Sequence, residues 1–449
     1  MNRYRPLLCS AISALLALLA LLAWASAGAQ LPGADSDQAP SPDAAPLPGA
    51  VPPASSAPPA TGLARWLNPA TAPFLPIPEI AVDPNSGTTV GFIPTWLQTN
   101  DHGEISRIIA PDVLHNPYFG WGAHGRVYAY PSADEQWSVV ADLKQRVERG
   151  IDVEYQDGRS RLQPLSVSAS LVYDRNGSPR FYGIGNESPA IDETNYTEEQ
   201  ELAEAQIGWN ISQALQLRYT GRARTVDVYP GTLTGIESIQ RRFARALGEG
   251  SHSEQLNRLG LVYDTRDDLT VPTRGAEWVA YSGMSSRHGL FNDSLYSEAG
   301  VDGREFWPIN SDTVLAAHMA LRYLPSAHRV PFWALSSLGG GQSVIGGEQP
   351  LRGYGEGRYY DRDSFDSTLE LRRRVLSFDA SSTRVDLELA PFIDAGRVFA
   401  RADTMPLSQL HTVGGLGFRG VARPFVVGYV DMGYGSEGLA VFTGINYPF

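Results

Sequence analysis

The chain has 449 residues, a formal net charge of −13 at pH 7 and 43% hydrophobic residues. The acidic balance argues against nucleic acid as a partner, because surfaces that bind nucleic acids are rich in Lys and Arg. The only cysteine is Cys9, near the start of the chain, so the rest of the sequence excludes disulfides, thiolate metal sites and cysteine nucleophiles.

Residues 1–29 have the pattern of a cleaved Sec signal peptide. Arg3 and Arg5 supply a basic start, residues 15–23 are apolar, and small residues precede the expected cleavage after Ala29. A membrane-anchoring helix is the alternative, but a span needs about 20 apolar residues. No later segment of the sequence approaches that length, so the exported chain is either soluble or a β-barrel.

Residues 30–86 are predicted to link the signal peptide to the folded domain. Up to residue 62 the composition is dominated by Pro, Ala, Ser and Asp, which cannot bury a core, so a disordered linker is expected. Residues 63–86 are more apolar but still interrupted by prolines, and both an ordered lead-in and a plug remain open. The folded domain is therefore expected over residues 87–449.

From residue 87 onward, the hydrophobic pattern has the period of two that is typical of β-strands. In residues 165–173 apolar residues alternate with serines, and in residues 384–389 they alternate with charged residues. A polar face of small and charged residues suits a water-filled lumen, although a soluble β-sandwich also alternates. At about 22 residues for a strand and its loop, the pattern predicts an all-β, antiparallel transmembrane barrel of about sixteen strands.

Two segments depart from this alternation. Residues 236–247 have apolar residues at helical spacing and end before Gly248, which predicts a short helix in an extracellular loop. Its basic face is either solvated or in contact with lipopolysaccharide. The acidic residues 197–205 are expected to form a second loop helix.

The sequence ends in a predicted closing strand. Ile445, Tyr447 and Phe449 share one face of this strand, and the last residue is aromatic. Such an ending is the usual insertion signal of outer-membrane barrels, which the barrel assembly machinery recognises during biogenesis. A chance Phe at the end of a strand is the alternative, but together with the export signal the ending favours an outer-membrane barrel.

Five short motifs follow one another along the predicted barrel. They are Phe181-Tyr-Gly-Ile-Gly-Asn-Glu-Ser188, Asp264-Thr-Arg-Asp267 with Pro272-Thr-Arg-Gly275, Leu338-Gly-Gly-Gly with Pro350-Leu-Arg-Gly-Tyr354, Phe392-Ile-Asp-Ala-Gly396, and Gly415-Leu-Gly-Phe-Arg419. In this order they resemble the motifs of the bacterial surface antigen family, within the outer-membrane protein eighty-five superfamily. Each motif alone is weak, but five in family order are specific.

The resemblance implies that the loop with Arg352, Gly353 and Tyr354 folds into the lumen. Arg352 is then expected to reach wall carboxylates at the matching positions, Glu370 and Asp394. Alternation supports this independently, because Asp394 lies on the polar face of its strand and leucines flank Glu370 on the opposite face. An Arg fork binds a carboxylate through two hydrogen bonds, which would fix the loop. A solvated loop arginine is the alternative.

The motif with Asp264, Arg266, Asp267, Pro272 and Gly275 predicts a tight, water-exposed turn at a strand end. A Ca²⁺ site is the alternative, which the arginine among the carboxylates disfavours. The sequence contains no recognisable catalytic motif, and its eight histidines are scattered. We therefore expect no enzymatic activity, no metal and no cofactor.

The segment before the barrel bears on function. Family members that insert or secrete proteins carry periplasmic POTRA domains there, and residues 30–86 are too short and too rich in proline for one. We therefore expect a member without POTRA domains that aids protein or lipid insertion or translocation at the outer membrane, with an unidentified protein client. The alternative is a passive pore, or a structural or adhesive outer-membrane protein. Outer-membrane lipids, lipopolysaccharide and the barrel assembly machinery are the expected partners.

Overall fold

The computed structural model of the chain describes residues 75–100, 105–132, 134–288, 292–327, 329–340, 351–380, 383–400, 409–422 and 426–445, together with Tyr447 and Phe449. The predicted signal peptide and residues 30–74 of the predicted linker lie outside these residues.

The described residues form one large, mainly antiparallel sheet with a few short loop elements. The strands are β1 (Leu75–Asp83), β2 (Gly87–Thr99), β3 (Ile105–Ile109), β4 (Asp112–Asn116), β5 (Gly120–Ala129), β6 (Gln136–Lys144), β7 (Arg149–Asp157), β8 (Leu165–Asn176), β9 (Arg180–Phe181), β10 (Thr194–Asn210), β11 (Leu215–Pro230), β12 (Glu237–Ser238), β13 (Gly250–Asp264), β14 (Gly275–His288), β15 (Asn292–Asn310), β16 (Thr313–Ala327), β17 (Ser336–Leu338), β18 (Tyr359–Asp361), β19 (Asp363–Ala380), β20 (Thr383–Phe399), β21 (His411–Ala422), β22 (Val426–Gly435) and β23 (Gly438–Ile445). The helices are α1 (Ile239–Arg242) and the 3₁₀ turns Ala190–Asp192 and Phe332–Ala334. None of the described helices is long and apolar enough to cross a membrane.

Eighteen strands close into a barrel, because β1 pairs antiparallel with β23 as well as with β2. β3 and β4 are two halves of one barrel strand, since both pair with β2 and with β5. β9, β12, β17 and β18 are short strands in the loops. The predicted all-β antiparallel barrel is confirmed, whereas the count of about sixteen is too low. It missed β1, and it overestimated the length of strands such as β6 and β7, which have nine residues each.

The first strand occupies residues that were expected to be part of the linker. β1 pairs with β2 in a continuous register from Leu75↔Thr95 to Asp83↔Gly87. The prolines of β1 argued against a strand in the sequence, because Pro cannot donate to a β-ladder and is normally confined to poorly paired strands. β1 fits that description: its other neighbour is β23, and Val82↔Val441 is the only ladder pair between them among the described residues.

Side chains alternate between the lumen and the outer face of the barrel, as the period of two predicts. Large apolar side chains exposed on the outer face include Phe92, Trp121, Leu143, Leu171, Trp209, Leu259, Leu369 and Ile393. The prediction of a helix at residues 197–205 is wrong, because this segment lies within β10 and pairs with both β8 and β11. Pairing on both sides overrides the local helix preference of its Glu and Ala residues.

One end of the barrel, here called the loop end, carries long connections at residues 177–193 and 231–249 and, in the described part of a third, at residues 329–340 and 351–362. The opposite end, the turn end, has shorter connections, such as the two residues between β15 and β16. The loops meet in a buried cluster that contains Phe181, Phe332, Tyr360 and Ile239.

The helix predicted at residues 236–247 is only partly correct. α1 has four residues, and the N-cap residue before it, Ser238, makes no side-chain capping hydrogen bond. Ile239 and Phe243 pack instead into the cluster of the loop end. Tertiary packing of individual apolar side chains therefore replaces the longer helix.

The loop at residues 177–193 crosses the mouth of the barrel. The side-chain amide of Asn186 donates to the main-chain oxygen of Gln409 at 3.1 Å, and its side-chain oxygen accepts from the amide of Val398 at 3.1 Å. These partners belong to the β20–β21 side of the barrel, whereas the loop starts at β8. Gly183 and Gly185 have φ values of +96° and +115°, which permit a sharp bend in this loop.

Candidate luminal site

The loop between β16 and β19 enters the lumen at residues 351–358, here called the luminal loop. Its backbone lies so close to β22 that a Cβ on Gly433 would stand 1.8 Å from the main-chain oxygen of Arg352. A Cβ on Gly353 would stand 2.8 Å from Val413 on β21. Leu351 has φ +62° although it is not a glycine, and its side chain is fully buried. Glycines and a strained leucine together allow this close approach.

Arg352 contacts both carboxylates that the resemblance implies. Its Nε and Nη2 donate to Asp394 Oδ2 and Oδ1 at 3.1 and 2.9 Å, and its main-chain amide donates to Oδ2 at 2.9 Å. Its Nη1 donates to Glu370 Oε2 at 2.6 Å. The arginine therefore joins the luminal loop to β19 and β20 through charge-assisted hydrogen bonds, one of them bidentate.

The same cluster contains three charged residues that the sequence did not single out. Arg352 Nη1 also donates to Asp431 Oδ2 on β22 at 2.8 Å. Arg419 on β21 donates to Asp431 and, at 3.0 Å, to Glu370 Oε2. Arg372 Nε donates to Glu370 Oε1 at 2.9 Å. Arg419 is the last residue of the Gly-x-Gly-x-Arg motif, so that motif was a signal for it.

Burial makes this cluster a low-dielectric site. Arg352, Glu370, Asp394, Asp431 and Arg419 are each exposed by no more than 1%. Burial alone would lower the pKa of Arg352, but Asp394, Glu370 and Asp431 outweigh it and raise that pKa well above its usual value. The guanidinium also stacks 3.4 Å from the ring centroid of Phe392. With three arginines against three carboxylates, the cluster is close to neutral and holds the luminal loop firmly.

The rest of the luminal loop is anchored near the loop end. The Tyr354 hydroxyl lies 2.9 Å from the Ser436 hydroxyl in the β22–β23 turn. Arg358 donates to Glu437 in the same turn at 2.7 Å and to the main-chain oxygen of Ser188 at 2.9 Å. The luminal loop, the loop at residues 177–193 and the last hairpin are therefore held together at several points.

The end of the sequence lies inside the barrel. Phe449 packs against Phe306 and Ala316, and the Tyr447 hydroxyl donates to Glu388 Oε2 at 2.9 Å. The guanidinium of Arg372 lies 3.8 Å from the ring centroid of Tyr447, and its Nη2 donates to the main-chain oxygen of Phe449 at 3.2 Å. Ile445 is the last residue of β23, and its side chain lies outside the described residues. The insertion signal expected for these three positions stays a prediction.

The turn motif at the turn end is organised by its own charges. Arg266 donates to Asp264 through Nε at 3.0 Å and Nη2 at 2.8 Å, and Asp267 accepts from the amides of Thr273 and Arg274 at 2.9 and 3.1 Å. A Cβ on Gly275, which has φ +93°, would stand 2.2 Å from a main-chain oxygen. Pro272 lies in the same turn.

The residue before that proline links the turn to the other side of the barrel. Val271 is buried against Val421 on β21 and against Tyr447. The connection at residues 265–274 therefore extends beneath the lumen at the turn end, in addition to forming the water-exposed turn that the motif predicted.

A family comparison identifies this architecture. The Omp85 superfamily domain matches residues 135–424, which is more than half of the chain. The chain belongs to the Omp85 superfamily. Omp85 barrels lie in the bacterial outer membrane, and this chain is one of them. The resemblance drawn from the five motifs is thereby confirmed.

Three solved structures are similar to this chain. BamA from Haemophilus ducreyi lacking POTRA domains 1–3 has 13% identity and a TM-score of 0.48, over 79% of this chain and 75% of that chain. CdiB from Escherichia coli has 14% identity and a TM-score of 0.45, over 82% of this chain and 62% of that chain. CdiB from Acinetobacter baumannii has 13% identity and a TM-score of 0.45, over 80% and 65%. The chain thus spans less than two thirds of the CdiB chains, and no curated protein sequence matches it.

One further group of side chains in this Omp85 barrel has the donor types of a metal site. Glu79 on β1, Asp112 on β4 and His124 on β5 bring their ligand atoms within 4.8 Å of one another. Arg126 contacts Asp112 and lies 2.7 Å from His124 Nδ1, so it already supplies a positive charge there. A metal ion would have to displace this guanidinium, and the group is therefore better explained as part of the charged lumen wall.

Proposed function

We propose that the protein aids insertion or translocation of a protein client at the outer membrane, by opening the β1–β23 seam and releasing the luminal loop. The observation that supports this most strongly is a contrast within the barrel. β1 pairs with β2 at nine positions, but with β23 at one among the described residues. A weakly paired seam is a row of hydrogen-bonding groups available to another strand.

The covered lumen supports a closed resting state over a passive pore. Arg352 holds the luminal loop in the lumen, the aromatic cluster with Phe181 and Phe332 joins the loops at the loop end, and Phe449 is buried near the turn end. A passive pore would need a continuous water path through the lumen, where these contacts lie. The proposed activity also needs an open path, so it requires at least one of these contacts to break. Enzymatic activity, a metal and a cofactor have no part in this proposal.

The proposal includes a route to the membrane. A Sec signal peptide at residues 1–29 is removed after export, residues 30–74 remain in the periplasm, and the barrel assembly machinery recognises Ile445, Tyr447 and Phe449. The turn end then faces the periplasm and the loop end faces the outside, because long loops are typically extracellular in outer-membrane barrels. Lipids of the outer membrane, including lipopolysaccharide, surround the apolar outer face.

A reversible seam lock tests the activity. Val82 and Val441 face each other across the seam, and residues 10–449 contain no cysteine, so Val82→Cys with Val441→Cys gives a unique disulfide. The protein is reconstituted in vesicles, and the folding of a urea-unfolded small outer-membrane barrel is followed by its heat-dependent gel shift. The wild type and the reduced variant should accelerate folding, whereas the oxidised variant should not.

Planar-bilayer recordings of the same proteins address the passive pore. A wild type that gives no acceleration, together with a large and steady conductance that the disulfide leaves unchanged, would overturn the proposed function in favour of the pore. Low conductance in the wild type, with a rise after luminal-loop release, agrees with the closed resting state.

A further inference from the structure

A pair of arginines faces outward at the loop end of the barrel, where the apolar belt stops. Arg149 on β7 and Arg175 on β8 are directly opposite each other in the antiparallel register. Both lie on the same strand face as the exposed side chains Ile151 and Leu171. Ile151 is two residues below Arg149, about 7 Å along the strand. The two guanidinium groups therefore lie at the level where hydrocarbon gives way to headgroups.

The surrounding side chains leave donors of these arginines open. Arg149 Nε donates to the Tyr173 hydroxyl at 3.1 Å, and Arg175 Nη1 donates to Glu199 Oε2 at 2.8 Å. Arg175 Nε is buried and has no hydrogen-bond partner. Arg149 is exposed and has no carboxylate within ion-pair distance among the described residues. Only Arg175 of this pair therefore has a carboxylate partner, and like charges directly opposite each other normally destabilise a sheet.

A third arginine and two tyrosines lie at the same end of the barrel. Arg146, in the turn between β6 and β7, is exposed and donates to the main-chain oxygen of Tyr118 at 3.3 Å. The Arg175 guanidinium lies 5.2 Å from the ring centroid of Tyr229, and the Tyr173 hydroxyl accepts from Arg149 and donates to Glu199 Oε1 at 3.4 Å. Tyrosines are enriched at membrane interfaces, which supports the assignment of this height to the headgroup region.

We infer that Arg146, Arg149 and Arg175 bind the phosphate groups of the outer-leaflet glycolipid, lipopolysaccharide. A phosphate accepts several charge-assisted hydrogen bonds and would relieve the repulsion between the opposed guanidinium groups. Glu199 and the exposed Glu201 border the surface on the β10 side, so the phosphate approaches from the β6–β7 side. This site rests on the orientation given above, with the loop end outside, and not on the proposed insertion activity.

The strand register offers a matched control for this surface. Arg373 on β19 is also exposed and faces outward beside Leu371, but it lies toward the turn end. An Arg373→Gln variant therefore removes an outward arginine of the same type at the opposite rim. Arg149→Gln with Arg175→Gln removes the opposed pair, and Arg149→Lys with Arg175→Lys keeps the charges but loses the planar forks.

The experiment measures binding of diphosphoryl lipid A to the full-length protein in detergent by native mass spectrometry, with phosphatidylglycerol and inorganic phosphate as separate probes. All variants must first show the heat-dependent gel shift of a folded barrel. The double Gln variant should weaken lipid A binding by about tenfold or more, since each charged hydrogen bond contributes roughly a factor of ten. The double Lys variant should fall between this variant and the wild type, and Arg373→Gln should stay within about twofold.

Three outcomes would overturn the site. They are equal lipid A affinity in the wild type and the double Gln variant, an equal loss in Arg373→Gln, and phosphatidylglycerol binding as tight as that of lipid A. The last result would mean that the surface recognises any anionic lipid. If inorganic phosphate binds with the same dependence on Arg149 and Arg175, these arginines recognise phosphate groups. The lipid A measurement then decides whether the phosphate that binds belongs to lipopolysaccharide. Because no client is present, failure here leaves the insertion proposal untouched.

Discussion

Replacement of Arg352 by Ala is the most direct perturbation of the luminal site. The change removes every hydrogen bond that the Arg352 side chain donates to Glu370, Asp394 and Asp431, and it leaves three buried carboxylates with only Arg372 and Arg419 nearby. Removing one partner of a buried ion pair costs about 3–5 kcal/mol, because the remaining charge stays desolvated. At about 1.4 kcal/mol per factor of ten, the ratio of docked to undocked luminal loop should fall by roughly two to three and a half orders of magnitude.

The assay is hydrogen exchange of residues 351–358 in the folded barrel, combined with planar-bilayer recording. Protection of these amides should fall strongly in Arg352→Ala, and conductance should rise if the loop leaves the lumen. Arg374→Ala is the control, because Arg374 on β19 is partly exposed and pairs with the exposed Asp312 in the β15–β16 turn, where such pairs contribute about 0–1 kcal/mol. Its further contact with Asp386, at 3.8 Å, also lies toward the turn end, away from the luminal loop. Exchange and conductance in Arg352→Ala that match those of Arg374→Ala would refute the view that this arginine holds the loop.

Three further predictions concern the surroundings of the site. Gly433→Ala should release the luminal loop much as Arg352→Ala does, because its Cβ would meet the loop backbone. Gly428→Ala, on the same strand, places its Cβ in open space and should leave the loop docked. Hydrogen exchange of residues 351–358 compares the two variants. Arg372→Ala should increase exchange in residues 438–449, and unchanged exchange there would show that Arg372 does not hold that segment. Partial burial would raise the pKa of Asp267, but hydrogen bonds from Thr273 and Arg274 outweigh it and lower that pKa. The ionised Asp267 therefore stabilises the turn at neutral pH, and this stabilisation is lost as the pH falls through the lowered pKa. Protection of residues 265–274, corrected for the pH dependence of intrinsic exchange, should therefore stay constant from pH 7 to about pH 4 and fall below that pH in the wild type, and a similar fall in Asp267→Asn would contradict this cause.

The barrel class was predictable from the sequence because alternation is a local property. Each outward Leu and each inward carboxylate in β19 and β20 can be assigned from its neighbours alone, and the five motifs then placed Arg352 near Glu370 and Asp394. The strand count was less accessible, since it depends on strand lengths and on β1. Pro76 and Pro78 in β1 argue locally against a strand, and only its position at the seam makes them acceptable.

The missing members of the luminal site have a different cause. Asp431 and Arg372 meet Arg352 or Glu370 because of how β19 to β22 are staggered, and alternation gives the face of a residue but not its height in the barrel. The position of Tyr447 inside the lumen could not be predicted from the sequence either. Its aromatic character predicted a closing strand, whereas its contact with Arg372 depends on a strand nearly eighty positions away in sequence.

Glu370 connects the luminal loop to the end of the chain, the two segments that fill the lumen beside it. Its Oε2 accepts from Arg352 of the luminal loop, and its Oε1 accepts from Arg372, which holds Tyr447 and Phe449. Withdrawal of either arginine leaves this buried carboxylate with fewer donors, and each contact therefore stabilises the other. Spontaneous opening is then costly, and a ligand can open the lumen only if it binds the open state more tightly than the closed one. A client strand that pairs with β1 at the seam, close to the last strand and the segment that follows it, would supply such a difference. In the proposed function, the weak seam and the firmly held loop are two parts of one requirement, because a barrel that opened without a client would leak.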